Sequence, residues 1–300
     1  MDPAGGRLSA WFGAGTDCRR LPYLGNLAAA LPPMRGVRLP PAPHHHHPHS
    51  VSHGTFLQVA LNGDRVHPAA PRTPAALAEA AAASHAAGAH SVHVHAYTAA
   101  GHETLGGEDC AAVLRAIRAR CPGLPVSLTT SATILPDPRE RVRVVTGWHE
   151  LPDLITANQG EPGIIEVCHL LLARGVQVEA GLLTVEDAHT FVRSGLAGHC
   201  RRVLIEPLEE VPEVALRHAA AMEAVLATAG IALEQVHHGY GAACWAVNRR
   251  AVARGHGIRT GFEDVTVLPD GSPARDNAAL VTAAAELIRS HDRSGAEHHP

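Results

Sequence analysis

The feature that most constrains this chain is a recurrence. From Phe56 onward a short apolar strand is followed by a helical stretch eight times over about 235 residues. The strands fall at 56–61, 91–95, 125–129, 154–157, 176–180, 202–205, 233–237 and 257–260. Helices are expected at about 73–87, 108–120, 138–145, 163–174, 185–194, 212–229, 243–254 and 277–289. Strict alternation calls for a parallel sheet covered by helices, and eight units in roughly 250 residues is the size of a closed (β/α)8 TIM barrel. An open doubly wound sheet is the competing α/β arrangement. No glycine-rich dinucleotide turn follows the first strand, which favours the barrel. The expected organisation is a disordered extension over residues 1–54, a barrel over 55–290 and a flexible tail over 291–300. The extension is rich in Gly, Pro and Ala and carries His44 to His47 and His49.

Composition removes several classes of function. With 300 residues, 46% hydrophobic and a formal net charge of -4, the chain can bury a sizeable core and carries no basic footprint for nucleic acid. No uncharged apolar run is long enough for a membrane span, and the N-terminus lacks the order of a secretory leader, so a cytoplasmic location is expected. No lysine occurs, and all 25 basic residues are arginine. Schiff-base chemistry, a Walker-type phosphate lysine and a carbamylated-lysine metal bridge are thereby excluded. Cys18, Cys110, Cys121, Cys168, Cys200 and Cys244 show no close pairing and read as reduced thiols.

Within the second strand, Ser91-Val92-His93-Val94-His95 places two imidazoles at i and i+2. Alternation turns both to one face, roughly 6 to 7 Å apart along the backbone, close enough to converge on a metal ion. In a barrel the carboxyl ends of all strands meet at one mouth, where such folds keep their chemistry. The ends of the eight strands offer Asn62, His93 and His95, Thr129, Asn158, Glu179, Glu206, His237 and His238, and finally Arg259, Glu263 and Asp264. The first, second and eighth strands become neighbours on closure, so an acid after strand eight can join the two histidines and leave one coordination position open. Glu263 and Asp264 are adjacent and point opposite ways in extended chain, so only one is expected to bind the ion. Arg259 either grips a carboxylate by two bonds, orienting Asp264 as a base, or makes a plain ion pair. Thr129, Asn62, Asn158 and Glu179 are the candidate substrate contacts, and Glu179 also reads as an interior acid in need of a partner.

Those residues lie in motifs that resemble the β-keto acid cleavage enzyme family, which includes 3-keto-5-aminohexanoate cleavage enzyme. The motifs are Leu61-Asn62-Gly63-Asp64-Arg65, Thr73-Pro74, Ala87-Gly88-Ala89, His93-Val94-His95, Leu128-Thr129-Thr130 and Glu161-Pro162-Gly163. Val178-Glu179-Ala180-Gly181, Ile258 to Asp264 and Asp276-Asn277 complete the series, in order, from about Phe56 to Arg289. The resemblance implies a TIM barrel with one zinc ion per chain, held by His93, His95 and Glu263. It implies condensation of a β-keto acid with acetyl-CoA to give acetoacetate and a new acyl-CoA. Asp264, steered by Arg259, would take the substrate proton, and Thr129 would help bind substrate. Barrels of this sort often associate, so a homo-oligomer is expected, with small molecules as the other partners.

The chain departs from the family pattern near the metal. Tyr97 stands where an arginine is common, Tyr240 where related sequences tend to have an acid, Ser131 replaces a glycine, and Asp64-Arg65 occupies the place of a glutamate. Two other readings follow from the residues. A binuclear metal hydrolase also uses a His-x-His strand and a late aspartate, although here the pair lies on strand two and no lysine can bridge two ions. A non-catalytic member that binds metal or acyl-CoA without turnover is the other.

Overall fold

The computed structural model describes residues 54–297. The N-terminal extension with its histidine cluster, and Cys18, lie outside the described residues. The chain runs β1 (Leu57–Ala60), α1 (Pro74–Ala87), β2 (Ser91–Val94), β3 (Ala96–Tyr97), β4 (Glu103–Thr104), α2 (Gly107–Arg120), β5 (Val126–Thr129) and α3 (Pro138–Thr146). It continues β6 (Leu154–Asn158), α4 (Ile164–Ala173), β7 (Gln177–Leu182), α5 (Val185–Ser194), β8 (Arg202–Ile205) and α6 (Pro212–Thr228). The last elements are β9 (Gln235–His237), α7 (Cys244–Ala253), β10 (Gly257–Thr260) and α8 (Asn277–Ala296).

All strands except β3 and β4 pair in parallel and close in the order β1-β2-β5-β6-β7-β8-β9-β10, which returns to β1. The expected TIM barrel is therefore present. Closure rests on β1, which pairs Val59 with Thr260 of β10 on one side and Ala60 with His93 of β2 on the other. Helix starts follow from local capping: the hydroxyls of Thr73 and Thr184 and the carboxylates of Asp137 and Asp276 accept the first backbone N–H groups of α1, α5, α3 and α8. Alternation sorts the strands. Leu57, Val59, Val92, Val94, Leu128, Val178 and Ile258 join the apolar shell under the helices. The residues between them face the interior. Gln58 donates from Nε2 to Glu179 Oε2 at 3.0 Å, a bond between strands on opposite sides of the barrel that only the interior can contain.

Two boundaries differ from the sequence expectation. β7 runs to Leu182, so Glu179 lies midway along it, below the mouth, where it accepts from Arg202 Nη1 at 2.9 Å as well as from Gln58. α8 continues past Arg289 to Ala296, so most of the expected tail is helix; 298–300 lie outside the described residues. The hairpin β3–β4, antiparallel with Tyr97 opposite Glu103, is an addition to the barrel plan. Cys110, Cys121, Cys168, Cys200 and Cys244 are free and buried. Among the described residues no helix is long and apolar enough to cross a membrane.

At Gly261, just past β10, φ is +123°, and an added Cβ would lie 2.1 Å from the carbonyl oxygen of Ala60. The close approach lets the strand-eight loop turn in over β1. Gly261→Ala is expected to lower the unfolding free energy by roughly 2–4 kcal/mol, read as a fall in the urea midpoint at unchanged m-value. An unchanged midpoint would show that the loop can move aside.

Candidate active site

His93 is the third residue of β2, and His95 follows just beyond its last residue, Val94. Their rings stand edge-on at 81° with centroids 5.3 Å apart. The backbone of His95 is bracketed by one side chain: its N–H donates to Asn62 Oδ1 at 2.9 Å, and its carbonyl accepts from Asn62 Nδ2 at 2.9 Å. Asn62 Nδ2 also donates to the Pro71 carbonyl, and Oδ1 accepts from Gly63 N–H. The side chain of Asn62 is thus committed to backbone. Glu263 arrives from the loop after β10 with Oε1 2.8 Å from His95 Nε2 and Oε2 3.7 Å from His93 Nε2. A Cβ at Gly63 would come within 2.4 Å of Glu263 Cγ, so only glycine leaves room for that carboxylate.

Behind these three groups the ring nitrogens have different partners. His93 Nδ1 lies 3.1 Å from Ser127 Oγ and 3.3 Å from Thr156 Oγ1, both neutral hydroxyls. His95 Nδ1 lies 2.6 Å from Glu103 Oε1, a carboxylate brought in by the hairpin. The electrostatics diverge accordingly. Burial favours the neutral ring and takes His93 down to about 3. Burial acts on His95 as well, but Glu263 and Glu103 on its two sides outweigh it and raise it to about 9. Glu263 stays ionised despite burial, held well below the usual carboxylate range by Arg259 and the two histidines.

Arg259, 2% exposed on β10, joins the two acids. Its Nη2 is 3.0 Å from Glu263 Oε2, while Nε and Nη2 donate to Asp264 at 2.9 and 2.8 Å. The adjacent carboxylates do point apart, one to the histidines and one to the guanidinium. Against the cost of burial, Arg259 and His238 hold Asp264 far below the normal range for an aspartate. Thr129 ends β5 and accepts from Ser131 N–H at 3.1 Å; Asn158 ends β6. Glu179 is in the layer below, engaged by Gln58 and Arg202.

Three residues near the site were passed over in the sequence. Glu206 and His238 stand at strand ends but carried no assigned role; His238 Nδ1 lies 3.2 Å from Asp264 Oδ2 and its Nε2 lies 3.6 Å from Glu206 Oε2. Glu103 gave no signal, because it follows His95 by eight residues in a stretch that reads as loop. The two tyrosines at departed positions are both met by arginine. The Arg72 guanidinium lies 4.5 Å from the Tyr97 ring centre and that of Arg65 lies 5.5 Å from Tyr240.

His93, His95 and Glu263 fit a divalent cation: two imidazole nitrogens and a carboxylate oxygen lie within 4.8 Å of one another, and all three residues are buried. Glu223, His237 and His256 also come together, between α6 and the strands. There the carboxylate already accepts from Arg250 and Arg254, whose charges oppose a cation.

The fold and this cluster define a class: a TIM barrel with two histidines and a glutamate gathered at its mouth beside an arginine-held aspartate. A sequence profile of the beta-keto acid cleavage enzyme family matches residues 55–299, and the chain belongs to that family. No curated protein matches its sequence. Among solved structures it is similar to apo ObcA, with a TM-score of 0.60 and 17% identity over 75% of this chain and 63% of that one. It is likewise similar to ObcA in a ternary complex with a C4-CoA adduct and oxalate, with TM-score 0.60 and 18% identity over 75% and 65% of the two chains. The chain thus spans under two thirds of the length of those ObcA structures. 3-Dehydroquinate dehydratase from Geobacillus kaustophilus HTA426 shares the fold at TM-score 0.50 and 11% identity, over 77% of this chain and 91% of its own.

Without metal, the two histidines act on stability with opposite signs. His93, shifted from 6.5 to about 3, weakens the fold as pH falls below 6.5, because only the unfolded chain then binds its proton. His95, shifted up to about 9, contributes fully below its unfolded value of 6.5 and loses that contribution as pH rises to 9. In chelator, the wild type is expected to lose roughly 3 kcal/mol between pH 6 and 9.5 relative to His95→Gln. Parallel urea-unfolding curves for the two proteins would remove the His95–carboxylate pairing.

Proposed function

We propose that this protein is a zinc-dependent enzyme that condenses a β-keto acid with acetyl-CoA, releasing acetoacetate and a new acyl-CoA. The observation that carries this reading is the convergence of His93, His95 and Glu263 beside an aspartate that Arg259 holds by two bonds, in a chain of this family. ObcA, similar in fold, is described with oxaloacetate and with a C4-CoA adduct, which fits a keto acid and a CoA thioester as substrates. His93, His95 and Glu263 would hold the ion, which when bound polarises a carbonyl and stabilises the adjoining enolate.

The remaining steps belong to the chain's own groups. Asp264 takes the proton from the carbon between the keto and carboxylate groups, and the C–H electron pair remains as an enolate. That carbon forms a bond to the acetyl carbonyl, and the CoA thiolate leaves. The thiolate then attacks the original keto carbon; the older carbon–carbon bond breaks, giving the new acyl-CoA and the acetoacetate enolate. Asp264 returns its proton to that enolate, so acid and base balance over the cycle. Arg259 keeps the carboxylate ionised and aimed, and the complete burial of Asp264 keeps water from competing for the proton. Thr129 and Asn158, at the ends of neighbouring strands, contact the substrate. Asn62 and Glu179 serve by holding His95 and the barrel interior.

A binuclear hydrolase has one observation in its favour, since Glu206, His238 and Asp264 form a second buried donor set. Arg259 donates to both oxygens of Asp264, whereas Glu263 gives it only Oε2 and keeps Oε1 facing His95, which favours a single ion at the His93/His95/Glu263 set. Metal content is measured together with a screen of β-keto acids and acetyl-CoA, following products by mass. The expected result is one zinc per chain, lost in His93→Ala/His95→Ala, with an acyl-CoA formed. Asp264→Asn is expected to keep the zinc and lower kcat by about 10²–10⁴-fold. Two ions per chain would favour hydrolysis, and zinc without turnover on any keto acid would favour a binding protein.

A further inference from the structure

The two histidines of the site differ in what stands behind them, and that difference assigns a task to the hairpin. We propose that Glu103, through His95, sets the strength of the metal site, making β3–β4 a positioning element of the centre. The inference rests on the metal reading of His93, His95 and Glu263.

An imidazole that gives one nitrogen to an ion must carry its proton on the other, and the partner of that N–H fixes the tautomer and the ring plane. A carboxylate partner draws the proton toward itself and leaves the ring a stronger donor; a hydroxyl does so weakly. His95 has the first arrangement, with Nδ1 2.6 Å from Glu103 Oε1 and Nε2 turned to Glu263. His93 has the second, with Nδ1 facing Ser127 and Thr156. Glu103 therefore supplies a second negative charge to the centre, reaching it through a ligand.

The carboxylate is held in place from several sides. Glu103 pairs in register with Tyr97, and the turn between them closes by Thr98 N–H to the His102 carbonyl at 2.8 Å. Tyr97 is anchored by its hydroxyl, which donates to the Gly63 carbonyl, and its ring lies under Arg72. The Thr104 hydroxyl accepts from Gly106 N–H at 2.9 Å, just ahead of α2. The hairpin is thus fastened both to the loop that gives Glu263 room and to the helix that follows.

The test is zinc affinity by competition with a chromophoric chelator, on the full chain at constant pH. Glu103→Gln, which keeps the side-chain shape, is expected to weaken zinc binding by about 10–100-fold. Ser127→Ala, the matching deletion behind His93, is expected to weaken it by under about threefold, since only a neutral hydroxyl contact is lost. Glu103→Asp should recover part of the loss. In wild-type protein labelled at histidine nitrogen, the zinc form should carry the His95 proton on Nδ1 and the metal on Nε2, a readout that needs no variant to fold. Equal zinc affinity in Glu103→Gln and wild type, equal losses in Glu103→Gln and Ser127→Ala, or metal on Nδ1 of His95 would each overturn the proposal. A wild type that binds no zinc would remove the metal reading itself, and this inference with it.

Discussion

Everything at the barrel mouth depends on the buried guanidinium of Arg259. Two adjacent acids, Glu263 and Asp264, are brought to an interior where an unpaired carboxylate would cost several kcal/mol. One planar cation meets both, at 3.0 Å to the first and 2.8 and 2.9 Å to the second. The fork geometry matters here, because a point charge on a flexible stem could not bond Asp264 twice and still reach Glu263. Neutralising one acid leaves the other available to the histidines, and the division of labour between them follows from which oxygen the guanidinium takes.

Much of this is legible in the sequence. Period-2 strands and capped helices with little loop between them leave few folds, and eight units leave one closed barrel of natural size. The neighbourhood of strands one, two and eight then follows from closure, and with it the meeting of His93, His95 and Glu263. Opposite orientation of Glu263 and Asp264 was legible from backbone geometry alone. What could not be read were the partners that come from tertiary contact. Glu179 looked like a strand-end acid because β7 continues two residues beyond the expected boundary. Glu103 was hidden because two-residue strands carry too few side chains to show a period. Asn62, at the carboxyl end of β1, looked available for substrate; its backbone bonds to Pro71 and His95 depend on a loop path that spacing does not encode.

The departures from the family pattern also become intelligible as pairs. Tyr97 and Tyr240 remove an arginine and an acid from expected positions, yet each ring lies beneath an arginine from the loop after β1. Arg65 further donates to the Phe262 and Glu263 carbonyls, which fixes the backbone of the loop that carries Glu263 to the two histidines. Two cations of the β1–α1 loop thus find aromatic surface at Tyr97 on β3 and at Tyr240 after β9.

A last consequence concerns the thiols. Cys110, Cys168, Cys200 and Cys244 are buried, and burial, the largest cause in each, pushes Cys110 and Cys200 up to about 12 and the other two higher still. The chain also lacks any lysine. An activated acyl group in the mouth of this barrel would therefore meet, among the described residues, neither a thiolate nor an amine that could accept it. The described part of the chain thus lacks the two acceptors that most readily take up an acyl group, and leaves hydroxyl, imidazole and carboxylate groups as the remaining nucleophiles.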